Sequence, residues 1–488
     1  LIKTPSERVP IGYANAWFPS AGSPRTLLCF FNITFKLHLI YAFFTIKFPK
    51  IKTNGKRLLK KVELLSPAGN LEKLKIAIDY GADAVYGGVS HFSLRIRSGK
   101  EFDLESFKEG IDYAHARGRK VYVTINGFPF NSQLKLLKEH IATMASLEPD
   151  AFIVATPGVL KLAHQIAPHI PLHLSTQANV MNVLDAQVYY DMGARRIIAA
   201  REISLKDLIQ IKAELPDLEI EVFVHGSMCF AYSGRCLIST LQSGRVPNRG
   251  SCANDCRFPY EMYAANPETG TLFKLEEHEG IGTYIMNSKD LNLASHIQEI
   301  LESGAIDSVK VEGRTKAPYY AAVTAKTYRR AIDDYYSGHF DGESYQRELG
   351  TMQNRGFTDA YLINRPFEKH DTQNLDFTMM MGTHQVSGMV DESGEFFECK
   401  YKTFPNDVME IVAPSDALIE EVDNEIGTIL RDGDQWVIVF KQLIAENGKV
   451  WDQVHSGNLN RFKLPAILPH FTFFRIPATE DMGIGTRC

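Results

Sequence analysis

From Val62 onward the chain alternates short, apolar, β-rich runs with longer segments whose apolar residues recur at helical spacing. The runs are VELLSPAG (Val62–Gly69), DAVYGGV (Asp83–Val89), KVYVTING (Lys120–Gly127), DAFIVATPG (Asp150–Gly158), PLHLSTQAN (Pro171–Asn179), RRIIAARE (Arg195–Glu202) and EIEVFVHG (Glu219–Gly226). Their spacing of about 20–35 residues is that of a strand followed by a helix. The intervening segments, NLEKLKIAIDYGA and SFKEGIDYAHARG among them, end at or near a glycine, the usual helix stop. With DSVKVEG (Asp307–Gly313) as an eighth strand, the pattern predicts an α/β fold of the (β/α)₈ TIM-like barrel type. An open doubly wound sheet is the alternative, but no G-x-G-x-x-G follows the first strand to support a nucleotide-binding version of it.

The pattern changes twice. A helix over APYYAAVTAKTYRRAIDDYYSG (Ala317–Gly338) closes the alternating region. Beyond it, runs such as EFFECKYKTF, DVMEIVAP, QWVIVFKQLI and HFTFFRI alternate with turn residues, which predicts a small C-terminal all-β barrel. We therefore expect an extension over residues 1–57 and a barrel over 58–340 with an insertion at 226–307. A connecting segment over 341–370 and a β domain over 371–488 complete the expected organisation. The extension lacks a clear period. Its apolar run Leu27–Lys50 is interrupted by Asn32, Lys36, His38 and Lys47, so it is too short for the ~20 residues of a membrane span.

Composition narrows this picture. At 44% hydrophobic and 23% charged residues, with a formal net charge of −5, the chain reads as a soluble globular protein. That balance argues against coating nucleic acid with the whole surface but permits a local basic patch. Seven cysteines are too sparse for a secreted disulfide scaffold, so a reducing, cytoplasmic setting is expected. Cys29, Cys399 and Cys488 stand alone.

The other four cysteines do not. Cys229, Cys236, Cys252 and Cys256 lie in HGSMCFAYSGRCLISTLQSGRVPNRGSCANDCRFPY, directly after the seventh strand, in the spacing C-x6-C-x15-C-x3-C. Strand C-termini carry the active site in such barrels. The spacing favours a metal site over a disulfide pair. It leaves both zinc and an iron–sulfur cluster open, although the paired C-x-x-C knuckles of a zinc ribbon are absent. Arg235, Arg245, Arg249 and Arg257 make the same stretch basic, against the single acid Asp255; they could offset thiolate charge or grip phosphates. Other strand ends are polar: Asn126; Gln177 and Asn179; Arg201 and Glu202; and Glu312, Arg314 and Lys316 after the eighth strand. Together they would line one mouth suited to a carboxylate or phosphate ligand. Glu276, Glu277, His278 and Glu279 add acidity that is either a solvated turn or a pocket wall. The hydrolase motifs G-x-S-x-G and H-E-x-x-H do not occur.

EVFVHGSMCFAYSGRCLIS resembles the signature of the collagenase-like peptidase family U-32. SPAGNLEKLKIAIDYGADAVYGG, HLSTQANVMN, EEHEGIGTYIMNSKDL, VKVEGRTKAPYYAAVTAKTYRRAID and NRGFTDAYL resemble its other landmarks, in order. Within the family, GRCLIST…PNRGSCANDCRFPY is most similar to the branch concerned with tRNA hydroxylation. The resemblance implies prephenate-dependent hydroxylation of the wobble uridine at carbon 5, with the tRNA anticodon region as partner. It also implies a [4Fe-4S] cluster on Cys229, Cys236, Cys252 and Cys256. By their place at the strand ends, Gln177, Asn179, Arg201, Glu202, Glu312 and Arg314 are the candidate catalytic groups. Arg235, Arg245, Arg249, Arg257 and Lys316 are the candidate substrate binders. Two alternatives remain: a peptidase, and a zinc-stabilised RNA-binding scaffold. One departure stands out. Thr156 occupies the position before Pro157 where relatives commonly carry aspartate.

Overall fold

Eight parallel strands close on themselves. The computed structural model describes residues 61–89, 92–94, 102–275, 286–364, 366, 369–374 and 382–478. The expectations for residues 1–57, Cys29, Cys488 and the Glu276–Glu279 run lie outside them. The strands are β1 (Glu63–Pro67), β2 (Ala84–Gly87), β3 (Lys120–Ile125), β4 (Ala151–Val154), β5 (Leu172–Leu174), β6 (Ala194–Ile198), β7 (Glu219–Ser227) and β8 (Ser308–Val311). Each pairs in parallel with its sequence neighbour, and β8 pairs with both β7 and β1, which seals the barrel.

Helices α1 (Leu71–Asp79), α2 (Leu104–His115), α3 (Leu134–Ala145), α4 (Pro157–Ile166), α5 (Val183–Asp191) and α6 (Leu205–Glu214) each return the chain to the start of the next strand. Short polar side chains begin five of them: Asn70, Asp103, Thr156, Asn182 and Ser204 each accept a hydrogen bond from the first turn. A cap of this kind contributes about 1 kcal/mol. Thr156 therefore has a structural task, accepting from the Val159 amide at 3.4 Å. The long helix α7 (Pro318–Ser337) follows β8, and α8 (Gly342–Leu349) packs on it, bringing Tyr345 and Leu349 into the main core.

Two apolar layers result. The large one fills the annulus between strands and helices, with Phe107, Phe152, Leu74 and Tyr328 in it. The small one, built from Leu65, Ala84, Tyr86, Tyr122, Ala151, Ile153 and Ile198, plugs the barrel interior. A layer of charge lies in the interior near the strand starts. Arg196 donates to Glu63 at 2.6 Å, Glu219 at 2.8 Å and Glu221 at 2.9 Å, and Lys310 donates to Glu221 at 2.8 Å.

After α8, the C-terminal strands are β9 (His384–Val390), β10 (Phe396–Cys399), β11 (Val408–Val412), β12 (Val422–Asp423), β13 (Gly427–Asp432), β14 (Gln435–Phe440), β15 (Arg461–Lys463) and β16 (Phe473–Pro477). They form one antiparallel sheet in the order β12-β13-β14-β11-β16-β9-β10-β15. The all-β region is thus a curled half-barrel around Phe397, Phe440, Phe462 and Phe474. It docks on the (β/α)₈ barrel through specific polar contacts. The Tyr80 hydroxyl donates to the carbonyls of Val412 (2.6 Å) and Phe471 (2.8 Å), and Arg475 reaches Glu348 on α8 (2.7 Å). Among the described residues, no helix is long and apolar enough to cross a membrane.

Candidate functional site: a thiol-lined cavity at the barrel mouth

Strand β7 runs past the barrel rim. Its upper half, from His225 to Ser227, pairs antiparallel with Asp290–Asn292, so the insertion leaves and re-enters the fold side by side. What lies between covers the mouth. Close backbone approaches hold it there. Gly226 has φ of +116°, and a Cβ on it would stand 2.6 Å from the Glu312 carbonyl oxygen. Gly234 has φ of +71°, and a Cβ there would meet the Gln177 backbone at 2.7–2.8 Å. Only glycine allows the loop to seat on β5 and β8 in this way.

Polar anchors complete the attachment. The Glu202 carboxylate accepts from the Ser233 amide (2.9 Å) and hydroxyl (3.0 Å). Glu312 accepts from the Ser227 amide at 3.2 Å. Arg257 donates to the Met228 carbonyl at 3.3 Å, and Arg249 donates to Gln133 on the opposite rim at 3.1 Å.

Beneath this cover lies a cavity of about 170 Å³ lined by all four clustered cysteines. Its floor is Tyr86, Ile153, Ile198, Phe223 and Lys310, and its walls carry Asn126, Gln177, Arg201, Arg257, Glu312 and Arg314. None of the four cysteines is in a disulfide. Burial raises the Cys236 thiol and pushes that of Cys256 up to about 11 despite the neighbouring Arg257. The Asn254 amide donates to the Cys252 sulfur at 3.4 Å. Among the described residues, no three Cys, His, Asp or Glu side chains converge tightly enough to grip one ion. The donor set is instead four sulfurs spread around a shared space.

The walls are ordered from several strands. Arg314, after β8, donates to Ser93 (2.7 Å) and Thr124 (3.0 Å), tying the β2 and β3 ends together. The Arg201 guanidinium lies 4.0 Å from the Phe223 ring centre. Gln177 accepts from the Ser175 hydroxyl at 3.2 Å, which turns its amide nitrogen away. That buried nitrogen has no partner, and neither does Nη1 of Arg257. Two orphaned donors line the same cavity. An unsatisfied donor costs about 1–3 kcal/mol, so the cavity offers two donors to whatever acceptors enter it.

The other sequence candidates stand elsewhere. Asn179 adopts a left-handed conformation (φ 57°), and its buried Oδ1 lacks a partner. Glu202 is an anchor of the cysteine loop rather than part of the lining. Arg235, Arg245 and Arg249 are on the outer face, exposed. Lys316 lines a small neighbouring cavity with His225 and Asp290 behind the mouth, and burial lowers its ammonium pKa. Tyr86, Thr124, Ser175, Phe223 and Lys310 join the lining without having been singled out. Lys310 had a visible signal: a single lysine inside the apolar run DSVKVEG. Its Nζ sits 4.2 Å from the Tyr86 ring centre, and burial pulls its pKa down against the pull of Glu221.

Residues 69–372 match the profile of peptidase family U32. The chain belongs to that family. It is 62% identical over 417 residues to the tRNA hydroxylation protein P of Helicobacter pylori (strain ATCC 700392 / 26695), an alignment covering 86% of this chain and 99% of the relative. The tRNA hydroxylation protein P of Escherichia coli K12 is 38% identical over 362 residues, covering 67% of this chain and 79% of the relative. A relative of Porphyromonas gingivalis, described as a collagenase, is 30% identical over 316 residues, covering 62% and 74%. The U32 family thus includes relatives described by two unlike activities.

Proposed function

We propose that this U32 protein hydroxylates the wobble uridine of tRNA at carbon 5, using prephenate as the hydroxyl donor. The observation that carries the reading is the 62% identity, over nearly the whole length of the relative, to a tRNA hydroxylation protein. The cavity agrees with it. Its volume of about 170 Å³ is close to the roughly 150 Å³ that holds a benzene ring. Both a uracil and the ring of prephenate are of that class. The orphaned Gln177 and Arg257 donors, with Arg201 and Arg314 beside them, suit the carboxylates of such a donor.

Cys229, Cys236, Cys252 and Cys256 would hold a [4Fe-4S] cluster. The reading is supported by all four cysteines lining one cavity, since a cluster spreads its ligands further apart than one ion does. Such a group supplies iron and electron-transfer capacity at the cavity wall. The chain's own part is to exclude bulk water with the insertion, to orient acceptors through Gln177 and Arg257, and to offset thiolate charge with Arg257. The uridine would enter unstacked, since base-modifying sites act on flipped-out nucleotides.

The peptidase alternative draws on the family description and on the relative described as a collagenase. Among the described residues no histidine lines the cavity to serve as a base for a nucleophile there. The deciding experiment is nucleoside mass spectrometry of tRNA from cells lacking the protein, complemented with wild type or Cys252→Ala. Restored 5-hydroxyuridine derivatives with wild type only is the expected result. Unchanged tRNA in every strain would overturn the reading and bring the peptidase forward.

A further inference from the structure

Every described aromatic side chain that is at least 45% exposed sits on the loop after β3 or on the insertion after β7: Phe130, Phe230, Tyr232, Phe258 and Tyr263. Scattered exposed apolar residues are normal, whereas their concentration on one rim marks an interaction surface. Phe230 and Tyr232 also line the thiol cavity, so the rings lead from the outer surface into the site.

Charge follows the same path. The Arg249 guanidinium stacks 4.0 Å from the Phe130 ring centre, joining the β3 loop to the insertion as one rim. Arg235 and Arg245 are exposed on the same insertion. Asp255, the single acid between His225 and Tyr260, is buried and accepts from the Ser243 hydroxyl at 3.3 Å. The next acid, Glu261, takes the Tyr263 hydroxyl at 2.7 Å.

We propose that this rim is a platform for unpaired RNA bases, with Phe230, Tyr232 and Phe258 stacking on bases and Arg235, Arg245 and Arg249 taking the flanking phosphates. The inference rests on the RNA-modifying function above and adds the groups that hold the loop while one base enters the cavity. Flat, exposed rings interleaved with arginines are the recurring means of holding single strands, because every base offers a π-face and every linkage a charge. Duplex RNA hides its base faces. An acidic peptide would satisfy the arginines but offers the rings nothing flat.

The test is fluorescence anisotropy of the full chain with a labelled anticodon stem–loop, set against a duplex of the same length and against polyglutamate. Replacing Tyr232 and Phe258 by Leu is expected to weaken stem–loop binding roughly 10- to 100-fold. Phe404→Leu, an exposed ring on the C-terminal half-barrel, leaves binding unchanged. Equal unfolding midpoints show that the variants fold. A 2-aminopurine placed in the loop is quenched on binding wild type, a reading that needs no variant. Unaltered affinity of the ring variants, no quenching at saturation, or equal competition by polyglutamate would each overturn the platform. The tRNA nucleoside assay is read on the unaltered chain, so those outcomes leave the hydroxylation reading standing. Tight, ring-dependent binding with unhydroxylated tRNA would sink that reading and keep the platform.

Discussion

The two ends of the barrel interior treat polar groups in opposite ways. Near the strand starts, Glu63, Glu219, Glu221, Arg196 and Lys310 are all ion-paired at 2.6–2.9 Å, and Tyr122 donates to Glu63 at 2.7 Å. Burial alone would raise the Glu63 carboxyl, yet Arg196 and Tyr122 hold it below its ordinary value. At the mouth, four thiols face one space, and the nitrogens of Gln177 and Arg257 lack partners. Lys310 marks the boundary, bonded downward to Glu221 while lining the cavity above. One end pairs its charges with one another; at the other, two donors meet no acceptor from the chain. Unsatisfied groups persist where function needs them, at a cost to stability.

The sharpest way to break this contrast is Arg196→Met. It takes the nearest cation from Glu63 and Glu219 and leaves Glu221 with Lys310 alone, and stripping one partner from a buried pair costs about 3–5 kcal/mol. We expect a large fall in the urea midpoint, or failure to accumulate. A midpoint within error of wild type would show that the lower layer is not what holds the barrel closed.

At the mouth the signs should reverse. Gln177→Met removes an orphaned donor while conserving bulk, so stability is expected to hold or rise by about 1 kcal/mol. Hydroxylation of tRNA in complemented cells should fall at least tenfold. A destabilised protein with normal tRNA would mean the Gln177 amide is satisfied in the resting fold. Arg257→Leu has a mixed expectation: it frees the same kind of orphan but gives up the bond to the Met228 carbonyl. Its activity loss should therefore exceed that of Gln177→Met, as measured by the same nucleoside assay.

Much of this was legible before any coordinates. Strand periodicity and glycine stops predict seven βα units, and the run DSVKVEG supplies the eighth, closing strand. Placing the four cysteines after β7 put them at the mouth. Which polar strand-end residues face inward was not legible. Gln177 lines the cavity while Asn179, two residues on, does not. The 3₁₀ turn over Thr176–Ala178 and the left-handed Asn179 break the alternation that a strand would have kept. Glu202 accepts two hydrogen bonds from Ser233, 31 residues along the chain, a contact with no local sign in the sequence. Lys310 shows in the sequence as a lone lysine within a strand, but nothing local points to the buried glutamate that pairs with it.

The smallest effect compares the two layers by their buried histidines. His173 stands at the lower layer, edge-on to Tyr122 at 4.7 Å, and burial takes its pKa well below the usual value. His225 forms the back wall of the mouth among Tyr320, Tyr328 and Phe357, and burial takes it to about 3, with Lys316 helping and Glu312 opposing. A histidine whose folded pKa is depressed binds its proton more readily when unfolded. Stability therefore rises with pH between the folded value and the ordinary value of about 6.5, and is lost as pH falls below that point. Each histidine contributes a slope approaching 1.4 kcal/mol per pH unit within that window. His225→Gln should remove one such slope from the urea midpoint measured between pH 7 and pH 5, and His173→Gln another. His173 has an unpartnered Nδ1, so the amide should cost little there at neutral pH. The His225 ring lies 3.3 Å from the Tyr328 hydroxyl, so the same change at the mouth should lower the midpoint at every pH. Parallel curves for wild type and both variants would mean neither histidine is kept neutral by the fold, and the two layers would then differ in pairing but not in their exclusion of water.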